Sequence, residues 1–590
     1  MSTTLAPPAH AVTVDELCAH LTSLRRPDTP LLCQFARAFF AKSPRHLLEE
    51  RSADQLAAMT LGAWEFLRRA RPDQVNVQVV NPEEEGWSAG VTVLRAEVGD
   101  RPFIVDTIRE YLAGQDLAIH QYVYPVLRIR RSDAGEIVEV GGEGGTREAL
   151  THAEVARVHD DARREEVRNG LRRSLADVVE ATSDFDAMVA RLDEVARGVE
   201  EYAARFPDRA DEVREDAELL RWLGRGNFVF LGYREYAIQG EGDQEVVMVS
   251  PGSGLGILRD ASTSGYQSPV PVRQMDPDLR GRLLHGPALM VSKSNAESMV
   301  HRRARMDYVG VKVLDEQGRV RGEQRFLGLF TSQAYAASAD EIPILRGKLD
   351  QVLARSGARE GGHDYKEIVT IVNSMPKEEL FEASEAQLAE EVQAALASLF
   401  SEDVRVVVRS DGARAEAAVM VILPRGRFSG EVRRVVGERL AADVGGSVLS
   451  SHVAMDAGDR ARLHFYLSTG RGAQVPDARA LEREVAGLVR TWEDRVEDAL
   501  REMMEDDAEA SRLARAYAPA FSPEYRAAVS PSAAVHDVLH MEALDRRGDT
   551  VALQDIFRGV GWFVVMDLLT LVLIILVPGI SLMLPRLMMG

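Results

Sequence analysis

Residues 91–131 read VTVLRAEVGDRPFIVDTIREYLAGQDLAIHQYVYPVLRIRR, and the apolar period changes twice along them. VTVLRAEV (91–98) alternates and is rich in β-branched residues, which predicts a strand. RPFIVDTIREYLAG (101–114) places Ile104, Ile108, Tyr111 and Leu112 at helical spacing, with Gly114 as a C-terminal stop. AIHQYVYPVLRIRR (118–131) reads as a strand again. Working outward, VNVQVV (75–80) is a strand on the N-terminal side. On the other side lie EIVEV (136–140), a turn GGEGG (141–145) and a weaker strand candidate near THAEVARV (151–158).

The pattern recurs later in the chain. VRVVVR (404–409) and AAVMVILP (417–424) are strands, EVRRVVGERLAADV (431–444) a helix, and SVLSSHVAM (447–455) and RLHFYLS (462–468) strands. One long charged helix is predicted over 478–507. This element order implies a ferredoxin-like module, an antiparallel-containing sheet with helices on one face. Helical periodicity fills 14–70, 161–222 (Met188, Leu192, Val195, Val199) and 340–400, and a second β-rich block occupies roughly 226–335. The fold class is α+β, multidomain, with a repeated module and helical linkers. The expected segments are 1–72 helical, 73–160 first module, 161–225 helical linker and 226–338 β-rich. They continue as 339–400 helical, 401–510 second module, 511–555 helical connector and 556–590 membrane tail.

Length agrees with several modules, since 590 residues at roughly 150 each make about four. Lys and Arg number 71 against 92 Asp and Glu, a net charge of −21, which argues against a nucleic-acid partner. Cys18 and Cys33 are the only cysteines, so a disulfide framework and a cysteine zinc site are both excluded. The start of the chain lacks an apolar signal segment, which predicts a cytoplasmic location. The end differs. GVGWFVVMDLLTLVLIILVPGISLML (559–584) has Asp567 as its single charge. As a helix it would span about 39 Å, enough for a hydrocarbon core of roughly 30 Å. Arg546, Arg547 and Arg558 precede it and Arg586 follows, so the expectation is an inner-membrane anchor with the bulk of the chain in the cytoplasm.

Catalytic motifs match by letter and fail by context. Gly86-Trp87-Ser88-Ala89-Gly90 fits G-x-S-x-G, but a strand follows Ser88 where the nucleophile elbow needs a helix. Ser374-Met375-Pro376-Lys377 fits S-x-x-K without its companion motifs. His536 and His540 share a helical face but have no evident third metal ligand, so that face reads as solvated. Gly252-Ser253-Gly254-Leu255-Gly256, Gly224-Arg225-Gly226 and Gly142-Glu143-Gly144 do not open a helix after a strand, as a dinucleotide cradle must. HRRAR (301–305) reads as an ion-paired strand edge. The turn Val98–Phe103 has two readings: an ordinary strand-to-helix connection, or a loop holding the carboxylate of a small amino acid at a helix N-terminus.

GDRPFIVDTI…HQYVYPVLRIRR resembles the N-terminal ACT-type module of the large bacterial NAD-specific glutamate dehydrogenases. LLRWLGRGNFVFLGYREY, PGSGLGILRD, HRRARMDYVGVKVLDEQGRVRGEQRFLGLFTSQAY and MVILPRGRF resemble that family in the same order, across roughly 30–550. The resemblance implies ACT-like modules for amino-acid sensing or assembly, flanking a dehydrogenase core that oxidises glutamate to 2-oxoglutarate and ammonium with NAD. The catalytic and NAD-binding motifs of that core are not found in these 590 residues, so no cofactor is expected in this chain. Implied partners are an amino-acid effector, further copies through the ACT-like modules, and a separate catalytic chain. The candidate effector residues are Asp100, Arg101, Pro102 and Phe103, with Pro424, Arg425 and Phe428 in the second module. Ligand-binding ACT loops usually carry Gly after the Pro, where this chain has Phe103. The tail DIFRGVGWFVVMDLLTLVLIILVPGISLMLPRLM (555–588) resembles the C-terminus of the large permease subunit of tripartite ATP-independent periplasmic transporters. That resemblance implies a junction near Leu553. The alternatives to a dehydrogenase portion are a membrane-anchored amino-acid sensor and a permease fragment.

Overall fold

Among the described residues four helices precede the first strand, two of them started by capping boxes: α1 (Val14–Ser23), α2 (Thr29–Phe40), α3 (Arg45–Glu49) and α4 (Ala53–Arg69). Thr13 exchanges hydrogen bonds with Glu16, and Ser52 with Gln55, so otherwise orphaned N–H groups find acceptors. The computed structural model describes residues 12–71, 73–399, 401–411, 415–455, 459–469 and 477–547. The run 559–584, the junction near Leu553 and the permease-like tail lie outside them. Among the described residues no helix is long and apolar enough to cross a membrane. The chain divides into two units, Met1–Leu423 with Gly437–Ala478, and Pro424–Val436 with Arg479–Gly590.

In the first unit comes β1 (Asn76–Val80), β2 (Val91–Gly99), α5 (Ile104–Gly114), β3 (Ile119–Val123), β4 (Val126–Arg131), β5 (Ile137–Val140), β6 (Thr146–Ala156) and α6 (Asp161–Ser183). The sheet order is β1-β2-β6-β4-β5, with β3 also on β6, and every pairing is antiparallel. The single strand expected over 118–131 is two. Pro125 has no N–H for the ladder, and the chain breaks at Tyr124–Pro125 while both halves stay on β6. The weak candidate at 151–158 is the C-terminal part of β6, which lies between β2 and the β3/β4 pair.

The expectation of helices on one face is corrected. Phe35, Phe39, Leu56 and Trp64 of α2 and α4 pack on Val93, Leu127, Ile129 and Leu150 on one face of this sheet. On the other face Leu94, Ala96 and Val98 meet Ile104, Ile108 and Leu171 of α5 and α6. Each fully buried aliphatic side chain here contributes roughly 1.5–3 kcal/mol.

Next follow α7 (Phe185–Arg205), α8 (Ala210–Trp222), β7 (Phe228–Gln239), β8 (Val246–Val249), β9 (Leu255–Gly256), β10 (Val270–Pro271), α9 (Pro277–His285), β11 (Leu289–Ser298), β12 (Ala304–Leu314) and β13 (Val320–Phe330). These strands run in the order β10-β8-β7-β13-β12-β11, with β9 on β7. One face gives Val229, Leu231, Leu327 and Leu329 to the α5–α6 layer. The other gives Phe228, Phe230, Phe326 and Phe330 to a core shared with α7 and α8. That core extends to α10 (Ser332–Ala336), α11 (Leu345–Ser356), α12 (His363–Ser374), α13 (Lys377–Glu382) and α14 (Glu385–Ala397).

The second module has β14 (Arg405–Asp411), β15 (Glu416–Pro424), α15 (Gly430–Asp443), β16 (Val448–Met455) and β17 (Arg460–Ser468), in the order β14-β15-β17-β16. Met420 and Ile422 of β15 join the core lined by α12–α14. The two modules share one departure from a simple βαββαβ order. Their outer strand beside β2 or β15 is the hairpin partner that precedes it in sequence.

The helix expected over 478–507 is two, α16 (Ala478–Leu488) and α17 (Trp492–Met503), because Thr491 and Asp494 form a capping box that starts a new helix. In the second unit α17 packs with α18 (Asp507–Tyr517), α19 (Pro523–Ala528) and α20 (Pro531–Arg547) around Val496, Leu500, Leu513, Val535 and Val538.

Candidate functional site

The loop between β2 and α5 is built from side chains that satisfy one another. Asp100 Oδ2 accepts from Arg147 Nε at 2.8 Å and pairs with its Nη2 at 2.7 Å, and the Asp100 N–H donates to Arg147 O. Arg101 turns inward to the end of α6, donating to Val179 O, Thr182 Oγ and Ser183 Oγ, each at 3.3 Å. Burial pulls its guanidinium below the usual range. Pro102 is exposed. Phe103 holds φ +72° at the start of α5, the left-handed conformation that glycine adopts without cost.

The turn between β11 and β12 closes over this helix start. His301, itself at φ +68°, sets its ring 5.1 Å from that of Phe103 and tilted 43° to it, puts Nδ1 3.1 Å from Asp106 Oδ2, and donates its backbone N–H to Thr107 Oγ1 at 3.0 Å. Asp100, Arg101 and Phe103 are thus brought together, with Asp100 Oδ2 and the Arg101 Nε and Nη1 already partnered inside the protein.

The second loop lies in the other unit. Pro424 is buried at the end of β15, Arg425 is exposed, and half-buried Phe428 donates its N–H to Arg425 O. Arg427, between them, pairs with Asp494 at 3.2 Å.

A more substantial polar site went unread in the sequence. Helix α13, the KEEL run after Pro376, looks solvent-facing, yet Lys377, Glu379 and Leu380 are buried. Glu378 reaches Lys293 Nζ at 3.1 Å, which also binds Asp307 at 2.6 Å. Burial raises the Asp307 carboxyl to about 6 against the pull of Lys293. Glu379 faces His464 Nδ1 at 3.3 Å; burial raises its carboxyl, but His464 and Arg409 outweigh that and hold it below the usual range. Ser374 accepts from Arg462 at 2.9 Å and donates to Ile371 O, so the S-x-x-K residues are structural members of this core.

Beside this network is a cavity of about 760 Å³, entirely within the first unit. Gly281 and Met290 border it from the β-rich domain, Phe381 and Glu382 from α13, and Arg409 and Glu416 from the β14–β15 hairpin. Both Glu416 oxygens are engaged, one by Arg305 Nη2 at 2.6 Å and the other by the Tyr466 hydroxyl at 2.8 Å. Arg305 also stands 5.4 Å over the Tyr466 ring. Arg409 Nη1 donates to Glu391 at 2.6 Å, whereas its buried Nη2 has no hydrogen-bond acceptor among the described residues and lies 4.0 Å from Glu379. The pairs join four segments distant in sequence, β12, α14, the β14–β15 hairpin and β17, and neither partner signals the other in a single chain.

The glycine-rich stretches do not fit a dinucleotide. Gly252–Gly256 is a turn leading into β9, not a helix. The Gly256 N–H is spent on Asp184 Oδ2 at 2.7 Å, and a Cβ at Gly254 would sit 2.4 Å from Leu258 O, so the chain's own backbone fills the space. Gly226 leads into β7, and Gly142–Gly144 join β5 to β6. Ser88 lies in a loop before β2 and donates to Glu83 at 3.2 Å.

Comparison with known proteins follows this architecture. The ACT1 domain of glutamate dehydrogenase matches residues 35–171, its helical motif 1 matches 342–398, its ACT2 domain 405–493 and its helical motif 2 499–544. The chain is 31% identical over 523 residues to an NAD-specific glutamate dehydrogenase of Halomonas elongata, covering 87% of this chain and 32% of that protein. It is 29% identical over 540 residues to that of Pseudomonas aeruginosa, covering 90% and 33%, and 28% identical over 514 residues to that of Mycobacterium tuberculosis, covering 82% and 29%. The chain therefore spans about a third of the length of these relatives.

Proposed function

We infer that this chain, built from the ACT and helical-motif domains of the NAD-specific glutamate dehydrogenase family, is a regulatory and assembly portion of such an enzyme. Glutamate oxidation to 2-oxoglutarate and ammonium with NAD would be carried by a dehydrogenase core that these residues do not form. One observation carries the reading: four matched domains in family order occupy 35–544, while among the described residues the glycine stretches at 142–144, 224–226 and 252–256 do not open a helix after a strand as a pyrophosphate cradle must. Self-association through the ACT domains and a cytoplasmic location belong to the same reading.

The test is direct. Purified chain mixed with glutamate and NAD is expected to form no NADH, and to associate with a separately produced core of a relative. Turnover by the chain alone overturns the reading.

Two alternatives have their own tests. For amino-acid sensing through Asp100–Phe103 and Pro424–Phe428, calorimetry with glutamate and aspartate decides. The internal pairing of Asp100 and Arg101 weighs against the first loop. For a membrane anchor at 559–584, fractionation of the whole chain against a chain ending at Gln554 decides.

A further inference from the structure

We propose that Cys18 of α1 and Cys33 of α2 form a reversible disulfide when the chain meets a hydroperoxide, a redox-sensitive clasp across the N-terminal helical layer. They are the only two cysteines of the chain, 15 positions apart, and the fold brings them together. Cys18 Sγ lies 3.8 Å from Cys33 O, and Cys33 Sγ lies 3.7 Å from Cys18 O. Both thiols are free. Leu17 and Leu21 of α1 share a core with Leu32 and Phe35 of α2, which holds the two helices against each other. Arg37 and Asp15, both exposed, pair across the same seam at 2.9 Å. One bond between neighbouring helices is not the framework that holds a secreted domain together. Where thiols are kept reduced, it forms under an oxidant and is cleared by thiol exchange.

The two thiols differ in access. Cys18 is 6% exposed, whereas Cys33 is half-buried. Burial, and then Cys33 beside it, pushes the Cys18 thiol up to about 11, so its thiolate is scarce at neutral pH. Cys33 is therefore the thiol that meets the oxidant. Its thiolate attacks one peroxide oxygen and the O–O bond breaks. Hydroxide leaves, takes up the proton that Cys33 released and becomes water, and a sulfenic acid remains on Cys33. The Cys18 sulfur then attacks the Cys33 sulfur and the S–O bond breaks. The departing hydroxide takes the Cys18 proton as a second water. In sum two thiols are oxidised to one disulfide, and one hydrogen peroxide is reduced to two waters.

This inference goes beyond the regulatory reading and does not need it, because the bond is read on the chain itself. The experiment treats the whole folded chain with hydrogen peroxide, blocks remaining thiols with N-ethylmaleimide and maps unreduced peptides by mass spectrometry. A Cys18–Cys33 crosslink within one chain is expected, with an unchanged far-ultraviolet circular dichroism spectrum and a raised melting temperature, all reversed by dithiothreitol. In Cys18→Ala the Cys33 sulfenic acid has no resolving thiol, and dimedone is expected to label Cys33 at least about tenfold more than in wild type. Thiols that stay free, crosslinks between chains alone, a crosslink accompanied by loss of helical signal, or equal dimedone labelling of Cys33 in wild type and Cys18→Ala overturns the proposal.

Discussion

The rings of Phe103 and His301 lie 5.1 Å apart, and both residues hold positive φ, +72° and +68°. Two strained non-glycine positions meet where the β11–β12 turn closes over the start of α5, and each helps to hold the other. Replacing Phe103 by Ala removes the ring and keeps the strain, whereas Gly removes both. Phe103→Gly is therefore expected to be more stable than Phe103→Ala by about 1 kcal/mol in urea unfolding. Equal midpoints would show that the backbone there is not strained.

Glu97 titrates far from an ordinary carboxylate. Burial, with Glu148 nearby, pushes it up to about 8, and among the described residues Asn76 donates to it, at 2.7 Å. The folded state keeps a proton that the unfolded state loses near pH 4.3. The contribution is thus complete below that value and is lost as pH rises through about 8. Glu97→Gln is expected to gain stability relative to wild type between pH 5 and 9, on the order of several kcal/mol at the upper end before discount for relaxation. A pH-independent difference in denaturation midpoint would contradict the assignment.

Lys377 is 1% exposed, and its ammonium has no hydrogen-bond partner among the described residues; burial lowers its pKa. Lys377→Met is expected to raise the denaturation midpoint, by about 1–3 kcal/mol near neutral pH. The unfolded chain binds the proton more tightly, so wild type gains stability as pH rises toward the free lysine value and the advantage of Met shrinks. A destabilised Met variant would mean that the ammonium is paired in solution.

Gly145 and Gly135 separate two costs of a side chain at positive φ. At Gly145, φ is +98° and a Cβ would lie 2.3 Å from Ile129 O in β4; at Gly135, φ is +82° and a Cβ meets nothing. Gly135→Ala is expected to cost about 1 kcal/mol and Gly145→Ala at least about 2 kcal/mol more, through disruption of the β4–β6 edge. Similar melting temperatures for the two would refute the close approach.

The strands and helices of both modules were legible because their apolar periods are regular: Leu94 with Ala96, or Ile104 with Ile108. The coverage of the first sheet was not. Arg95, Glu97, His152 and Glu154 occupy positions that alternation assigns to solvent, yet all four are buried. Arg95 is paired with Glu85, and Glu154 with Arg51. Charges neutralised across long sequence separations leave no local trace. Pro125 and Thr491 carried readable break signals that the surrounding periodicity masked. Of the candidate sites, the Val98–Phe103 loop was suggested by glycine and proline chemistry and Pro424–Phe428 by the family resemblance, while the cavity at Arg409 was invisible because its walls come from five remote segments.

Helices α5 and α6 have a β-sheet on each side, the first module on one and the β-rich domain on the other. Neither sheet owns them. A fragment ending after β6 would lack the cover that α6 provides, and one beginning at α7 would expose Val229, Leu231 and Leu329 to water. Dissection of this chain into stand-alone domains at those joints is therefore expected to give aggregating pieces, whereas the span from α1 through β13 keeps the α5–α6 layer between its two sheets.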